Sequence, residues 1–226
     1  MAPATLEPVA VAILAKAPVP GSVKTRLIPA LGADGAAALQ ERLIERAVAT
    51  AQAAAVGPVT VWTTPAAAHP YFAAAAARGR VALAPQPDGD LGARMLAACA
   101  AACGPVIVIG TDCPALTPSH LREAARELRD GTDAVVIPAQ DGGYVLIGSR
   151  RPQPALFDGM AWGTDTVMAE TRRRLARLAL AWREPALLWD VDRPEDLARL
   201  RAAGFGQLLE QRDQDADVRA APPAPA

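Results

Sequence analysis

Two cations and a glycine follow the first apolar run of the sequence. The run at residues 9–14 is typical of a buried strand, and the loop after it carries Gly21, Lys24 and Arg26. Glycine lets a backbone approach a ligand closely, lysine supplies a point charge, and arginine supplies a two-pronged donor for phosphate oxygens. The loop is therefore a candidate phosphate-binding site, and the competing interpretation is a solvated basic loop.

An aspartate stands just after a second apolar run. Residues 106–109 lead into Gly110-Thr111-Asp112-Cys113-Pro114, which puts Asp112 at the tip of a predicted strand. Ligands of open α/β sheets collect beyond the carboxyl ends of the strands. Mg²⁺ takes one or two protein carboxylates together with water and phosphate oxygens. Asp112 is thus a candidate metal ligand, and the alternative is that it only makes an Asx-turn.

Two more carboxylates follow the last predicted strand, at residues 186–189. Because side chains alternate along extended backbone, Asp190 and Asp192 fall on the same face and could meet one ion. Asp192 followed by Glu195 also resembles a capping box for the helix that Pro194 opens. Helix capping therefore competes with metal binding as the role of Asp192.

Three glycine-containing segments complete the set of candidate site residues. Gly92 lies in the segment 89–95, whose glycines would let a base or ribose lie against the backbone, although the motif in isolation is nonspecific. Gly143 follows Asp141 in a run that allows close backbone approach but is also an ordinary turn signal. Gly163 and Thr164 precede a helix predicted at residues 165–178. The free amides of that helix start could receive an anionic acceptor group, whereas capping by Thr164 or Asp165 needs no ligand.

Apolar, β-branched runs alternate with alanine-rich helical patterns, which predicts βαβ units and a mainly parallel sheet. The predicted strands lie at residues 9–14, 59–63, 81–84, 106–109, 134–137, 144–147 and 186–189. The predicted helices lie at 34–55, 66–78, 93–103, 118–129, 165–178 and 194–203. We expect one α/β domain over residues 9–206, with disorder at 1–8 and in the proline-rich 207–226.

Composition excludes several function classes. A net charge of −1 with a charged fraction of 21% gives no field for nucleic acid or an anionic membrane. The apolar runs are far shorter than the roughly 20 residues that span a bilayer, and no signal-peptide pattern opens the sequence. We therefore expect a cytoplasmic protein. Cys99, Cys103 and Cys113 form no C-x-x-C motif, which argues against a disulfide framework or a zinc site.

Taken in order, these segments resemble a bacterial family of GT-A-fold transferases. The family was long a domain of unknown function, its members are often labelled glycosyltransferases, and some are associated with arsenosugar biosynthesis. It is more distantly similar to the molybdenum-cofactor and phospholactate guanylyltransferases. The resemblance spans about residues 9–203. Its motifs are AKAPVPGSVKTRL, GDLGARM, GTDCP, DGGY, WGTD and DVDRPEDL.

The resemblance implies a three-layer, Rossmann-like GT-A fold and assigns roles to the candidate residues. Nucleotide contacts would come from Gly21, Lys24, Arg26 and Gly92. Metal ligands would be Asp112, Asp190 and Asp192. Acceptor contacts would come from Gly143, Gly163 and Thr164. This sequence departs from those relatives at two places. A proline-bearing loop replaces the tighter glycine-rich opening of the guanylyltransferases, and Gly110 stands where many glycosyltransferases have the first aspartate of a central D-x-D.

Three functions fit this set. The favoured one is nucleotidyl transfer from an NTP to a phosphorylated small molecule, with Mg²⁺ or Mn²⁺ and with Lys24, Arg26 and Asp112 as the catalytic residues. The second is sugar transfer from a nucleotide-sugar donor. The third is a catalytically silent nucleotide-binding module, against which the three aspartates argue.

Overall fold

The computed structural model describes residues 6–65, 69–77 and 81–210. The strands are β1 Ala10–Lys16, β2 Val59–Thr64, β3 Ala82–Pro85, β4 Val106–Ile109, β5 Ala134–Pro138, β6 Tyr144–Ser149 and β7 Trp182–Arg183. The α-helices are α1 Ile28–Ala54, α2 Pro70–Ala77, α3 Leu91–Ala101, α4 Pro118–Arg129, α5 Pro154–Phe157, α6 Val167–Arg177 and α7 Pro194–Leu200.

The strands form one sheet in the order β3-β2-β1-β4-β6-β5-β7. β6 runs antiparallel to both β4 and β5, and the other neighbours are parallel. The sheet is therefore mainly parallel, as the alternation of apolar and helical segments predicts. Because β6 is reversed, its first residue lies at the same edge as the last residues of β1 and β4.

Helices cover both faces of the sheet, which confirms the three-layer architecture. Val11 and Ile13 of β1 belong to the apolar cluster that contains residues of α1 and α4. Ala12, which points the other way, belongs to the cluster that contains Met95 of α3 and Met168 of α6. The period-2 alternation of side chains along β1 thus supplies both cores at once.

The last predicted strand is wrong in extent. The sheet gains β7 at Trp182–Arg183, and residues 186–189 contribute only a single parallel bridge, between Leu188 and Ala139. Leu188 N donates to Pro138 O at 3.0 Å. Pro185 lies between the two and has no N–H to offer a ladder, so the pairing cannot be continuous. The segment still passes the end of β5, which brings residues 190–192 to the sheet edge.

Other predicted boundaries shift by a few residues. α1 begins before the predicted residue 34, but it is broken at Gly32, whose φ of 71° and ψ of 169° are not helical. α6 begins at Val167 rather than at residue 165. Residues 66–68 and 78 of the second predicted helix lie outside the described part of the chain.

The folded part extends past the expected limit at residue 206. Leu208 is buried and packs in the cluster of Val191 and Leu200, and Arg42 Nε donates to its carbonyl oxygen at 2.7 Å. Residues 1–5 and 211–226, where disorder is predicted, lie outside the described residues. In the ranges that are described, no helix has both the length and the apolarity needed to cross a bilayer.

Candidate active site

A cleft of about 650 Å³ opens at the edge where β1 and β4 end and β6 begins. Most of the candidate residues predicted from the sequence line it, namely Lys24, Arg26, Asp112, Gly143, Gly163, Thr164, Asp190 and Asp192. Gly21 and Gly92 do not. The sheet edge therefore gathers segments that are far apart in the sequence, as expected for ligand sites in open α/β sheets.

The ammonium group of Lys24 contacts the carboxylates of Asp112 and Asp192 and does not point into the open cleft. Its Nζ is 2.8 Å from Asp112 Oδ1, 3.9 Å from Asp192 Oδ1 and 2.6 Å from the carbonyl oxygen of Val191. The side chain is only 3% exposed. Its backbone is left-handed, with φ 46° and ψ 39°. A side chain other than glycine is uncommon in this region, so the loop holds Lys24 in a costly conformation that aims the ammonium inward.

Arg26 occupies the outer side of the same loop. Its guanidinium is 61% exposed and Nη1 donates to Asp192 Oδ2 at 2.5 Å. Lys16 Nζ, at the end of β1, donates to Ser22 O at 2.7 Å and ties the loop back to the strand. Gly21 supplies a positive φ of 77° for the turn between them without lining the cleft. Arg26 and Lys16 are thus the loop cations within reach of solvent.

Gln40 of α1 is a site residue that the sequence reading missed. It is 4% exposed, and its Nε2 donates to Lys16 O and to Thr111 Oγ1, both at 3.3 Å. Thr111 Oγ1 in turn donates to Asp112 Oδ1 at 3.0 Å. One buried amide therefore connects the end of β1, through Thr111, to the metal candidate Asp112. The available signal was a polar residue beside the apolar, inward-facing positions of a helix.

Asp190 is the most perturbed carboxyl of the cleft. Burial, followed by the nearby charge of Asp141 and then by Asp112 and Asp192, raises its pKa from 3.8 to about 6. Asp141 itself lines the cleft and accepts a hydrogen bond from Gly143 N at 2.9 Å. Three other carboxylates therefore repel the ionised form of Asp190, and an added cation would relieve that repulsion.

Asp192 does not cap α7. The backbone N–H groups of Asp192 and Arg193 both donate to Asp196 Oδ2, at 2.9 and 2.7 Å. Asp196 is thus the acidic residue of the capping box, and the pairing of Asp192 with Glu195 suggested by the sequence is wrong. The carboxylate of Asp192 remains directed to Arg26 and Lys24. The capping interpretation no longer competes with metal binding at Asp192.

The oxygen-rich setting suits a hard divalent cation, although the aspartates are arranged around Lys24. Within the described residues, no three His, Cys, Asp or Glu side chains are grouped closely enough to hold a metal ion. The ammonium of Lys24 nevertheless has the carboxylates of Asp112 and Asp192 and the carbonyl of Val191 around it. These are the donors that Mg²⁺ and Mn²⁺ prefer. Lys24 acts as a stand-in cation, so Asp112 and Asp192 fit the metal that the sequence predicts, and Asp190 lines the same cleft.

Aromatic and hydroxyl groups line the far side of the cleft. Tyr144 and Trp162 pack edge to face, with ring centroids 6.3 Å apart. Burial raises the pKa of Tyr144 well above its usual value, so it stays a neutral phenol. Thr164 Oγ1 donates to Ala161 O at 2.8 Å and lies 2.8 Å from Thr166 Oγ1. No side chain caps the first turn of α6, so the capping role considered for Thr164 and Asp165 is not found.

Gly92 lies behind Trp162, on the side away from the cleft. A Cβ at Gly92 would come within 2.9 Å of Trp162 Cζ2 and 3.0 Å of Phe157 O. The glycine therefore lets α3 approach Trp162, and its neighbour Leu91 is the residue that reaches the cleft. The direct nucleotide contact implied for Gly92 is not supported by this position.

Comparison with known proteins agrees with the fold. A family described as "Uncharacterized protein conserved in bacteria (DUF2064)" matches residues 46–164, more than half of the 226 residues. Among curated protein sequences, none matches this chain.

Several solved structures share the fold. One is a protein of Desulfovibrio desulfuricans G20 assigned to the nucleotide-diphospho-sugar transferases, with 29% identity, a TM-score of 0.80, and coverage of 93% of this chain and 96% of that one. A CMP:2-keto-3-deoxy-manno-octonic acid synthetase complexed with CTP has 16% identity, a TM-score of 0.56 and coverages of 89% and 100%.

Glucosyl-3-phosphoglycerate synthase of Mycobacterium tuberculosis, in complex with Mn²⁺, UDP and glucosyl-3-phosphoglycerate, has 13% identity, a TM-score of 0.51 and coverages of 89% and 78%. The last two similarities concern the fold alone. The chain belongs to the DUF2064 family of bacterial proteins and has the Rossmann-like fold of the nucleotide-diphospho-sugar transferases.

Proposed function

We propose that this protein is a transferase that uses a nucleotide and a divalent cation, and that it transfers a nucleotidyl group from an NTP to a small-molecule acceptor. The observation that carries the proposal is the oxygen cradle around the Lys24 ammonium, next to the exposed cations Lys16 and Arg26. A polyphosphate needs cationic donors along its length, and the first loop supplies them at one edge of the cleft.

In this reaction the acceptor attacks the α-phosphorus, the bond to the β-phosphate oxygen breaks, and pyrophosphate leaves. Arg26 and Lys16 would bind and orient the phosphates, while the Lys24 ammonium, once exchanged for the metal at the carboxylates, would hold charge beside them. Asp112, Asp190 and Asp192 would hold Mg²⁺ or Mn²⁺, which would neutralise the charge that develops on the phosphates. Gln40 would hold Asp112 in position relative to the end of β1 through its hydrogen bonds to Lys16 and Thr111. Burial raises the pKa of Cys113 to about 11, so this neighbouring thiol is no nucleophile at neutral pH.

Sugar transfer from a nucleotide-sugar is the second candidate. It is favoured by the similarity to the D. desulfuricans protein, which is assigned to the nucleotide-diphospho-sugar transferases, and by UDP and Mn²⁺ in the mycobacterial synthase. The favoured proposal specifies the NTP donor and nucleotidyl transfer, and it does not specify a phosphate on the acceptor. Every lysine and arginine among the described cleft residues lies on β1 or the loop after it, which leaves no such side chain for an acceptor phosphate.

Product analysis separates the two chemistries. The protein is incubated with Mg²⁺, a deproteinised extract of bacterial small molecules, and either the four NTPs or a set of nucleotide-sugars. We expect release of pyrophosphate from an NTP, and at least a 100-fold lower rate with Asp112→Asn, since such charge-stabilising groups are typically worth about 10²–10³ in rate. Release of a nucleoside diphosphate from a nucleotide-sugar, without pyrophosphate from any NTP, would replace nucleotidyl transfer by sugar transfer.

A further inference from the structure

The charges of the cleft are distributed unevenly along the sheet edge. The cations lie on β1 and its loop, and Asp112 follows β4, the next strand. β6 comes after β4, and there the cleft is lined by Tyr144 and Trp162 and by the carboxylate of Asp141, but by no lysine or arginine among the described residues. If the donor phosphates occupy the cationic end and react near Asp112, the acceptor must occupy the aromatic end.

The surface of that end is largely apolar; we call it the acceptor wall and define it by Leu91, Met95, Tyr144 and Trp162. Leu91 is 44% exposed, one of the few large apolar side chains that the described residues leave open to solvent. An aromatic ring and an exposed leucine at a cleft surface favour a ligand with a flat or apolar face.

The polar groups beside the wall suit hydroxyls. Thr164, whose Oγ1 lies 2.8 Å from Thr166 Oγ1, offers a hydroxyl oxygen to the cleft, and the carboxylate of Asp141 accepts hydrogen bonds. The indole Nε1 of Trp162 is buried without a hydrogen-bond partner in the described structure. Buried donors are nearly always paired, so an oxygen of a bound ligand, after a small adjustment of the ring, would explain this one.

The same surroundings disfavour a second phosphate. Among the described residues that line the wall and the segment 162–167, none is a lysine or an arginine. Two helix starts lie there, and both already have oxygen partners. Asp90 caps α3 by accepting from Ala93 N at 2.8 Å, and Met168 N of α6 donates to Gly142 O at 2.8 Å. Neither helix start is therefore left open to attract a phosphate.

We infer that the acceptor wall binds an uncharged, hydroxyl-bearing group with an apolar or aromatic face, such as a glycoside, and not a phosphorylated acceptor. The inference rests on the proposed function, because that function identifies the cationic end as the donor site. It revises the phosphorylated acceptor favoured by the sequence. The attacking atom would then be a hydroxyl oxygen, whose proton the nearby carboxylates could accept.

Two probes that share a ring test this directly. p-Nitrophenyl β-D-glucoside and p-nitrophenyl phosphate are titrated into the full chain by calorimetry, with Mg²⁺ and with saturating pyrophosphate, which fills the cationic donor end so that only binding at the acceptor wall is measured. We expect the glucoside to bind at least about tenfold more tightly, and Trp162→Ala to weaken it about tenfold or more, as for a buried aromatic anchor. Leu91→Lys should strengthen binding of the phosphate ester several-fold by adding a cation. Leu187→Lys, at an exposed leucine outside the cleft, is the matched control and should change neither affinity.

Several results would overturn the inference. These are absence of glucoside binding, phosphate-ester binding at least as tight as that of the glucoside, or glucoside binding unchanged in Trp162→Ala. Displacement of the glucoside by free nucleosides would also overturn it, because the wall would then be the base site. A rise in melting temperature with an NTP and Mg²⁺ reports the donor site separately, so failure here is distinguishable from failure of the proposed function.

Discussion

Lys24→Met is expected to bind Mn²⁺ at least about tenfold more tightly than the parent protein when no nucleotide is present. The ammonium lies 2.8 Å from Asp112 Oδ1 and 3.9 Å from Asp192 Oδ1, in the position where these carboxylates would meet a metal. The side chain is almost fully buried, so solvent screens this competition little. Removing it leaves the carboxylates without their counter-ion, and tenfold corresponds to about 1.4 kcal/mol.

Electron paramagnetic resonance of free Mn²⁺ measures the affinity directly and needs no substrate. Arg26→Met is the matched control, because Arg26 pairs with Asp192 but is 61% exposed, and we expect a change of less than about threefold. An unchanged or lower Mn²⁺ affinity in Lys24→Met, in protein whose circular dichroism is unaltered, would show that Lys24 does not occupy the metal position.

Asp190→Asn is expected to stabilise the metal-free protein at pH 8 by about 1–2 kcal/mol, a figure reduced for partial solvent exposure. Burial and the charges of Asp141, Asp112 and Asp192 raise the pKa of Asp190 from 3.8 to about 6. Because the folded-state pKa is the higher one, the native protein binds the proton more tightly than the unfolded chain. Ionisation therefore costs stability as the pH rises from about 4 to 6, and the full cost applies above that range.

The gain from Asp190→Asn should accordingly fade as the pH falls from 6 toward 4, where Asp190 is protonated in both states. Urea unfolding at pH 8, 6 and 4.5 in the presence of EDTA measures it. Asp88→Asn, at an exposed carboxylate outside the cleft, should show no comparable gain at pH 8. A loss of stability in Asp190→Asn at pH 8 would mean that the ionised carboxylate is favourably held, contrary to this account.

The sequence predicts which residues share the cleft better than it predicts the contacts between them. Asp112, Asp190 and Asp192 line one cleft because the segments that precede them end at one edge of the sheet, and the alternation of strands and helices predicts that edge. The inward turn of Lys24 depends on a left-handed backbone at a residue other than glycine and on partners from two distant segments. No local pattern encodes such a combination.

Two other features illustrate the same limit. Gln40 has the spacing of a core position, but its role depends on Lys16 and Thr111, which only the packed sheet brings to it. Residues 186–189 have the composition of a strand, yet the ladder there is reduced to one bridge because Pro185 interrupts it. Local propensity therefore identified the segment, and tertiary pairing decided its extent.

The most direct test of the central account is the melting temperature of the protein with an NTP, measured with and without Mg²⁺, for the parent chain and for Asp112→Asn. We predict a rise of several degrees for at least one NTP, dependent on Mg²⁺ in the parent chain and absent in Asp112→Asn, because only the folded cleft binds the ligand. If no NTP or nucleotide-sugar raises the melting temperature with Mg²⁺, or if Asp112→Asn responds like the parent, then this cleft is not a metal-dependent nucleotide site.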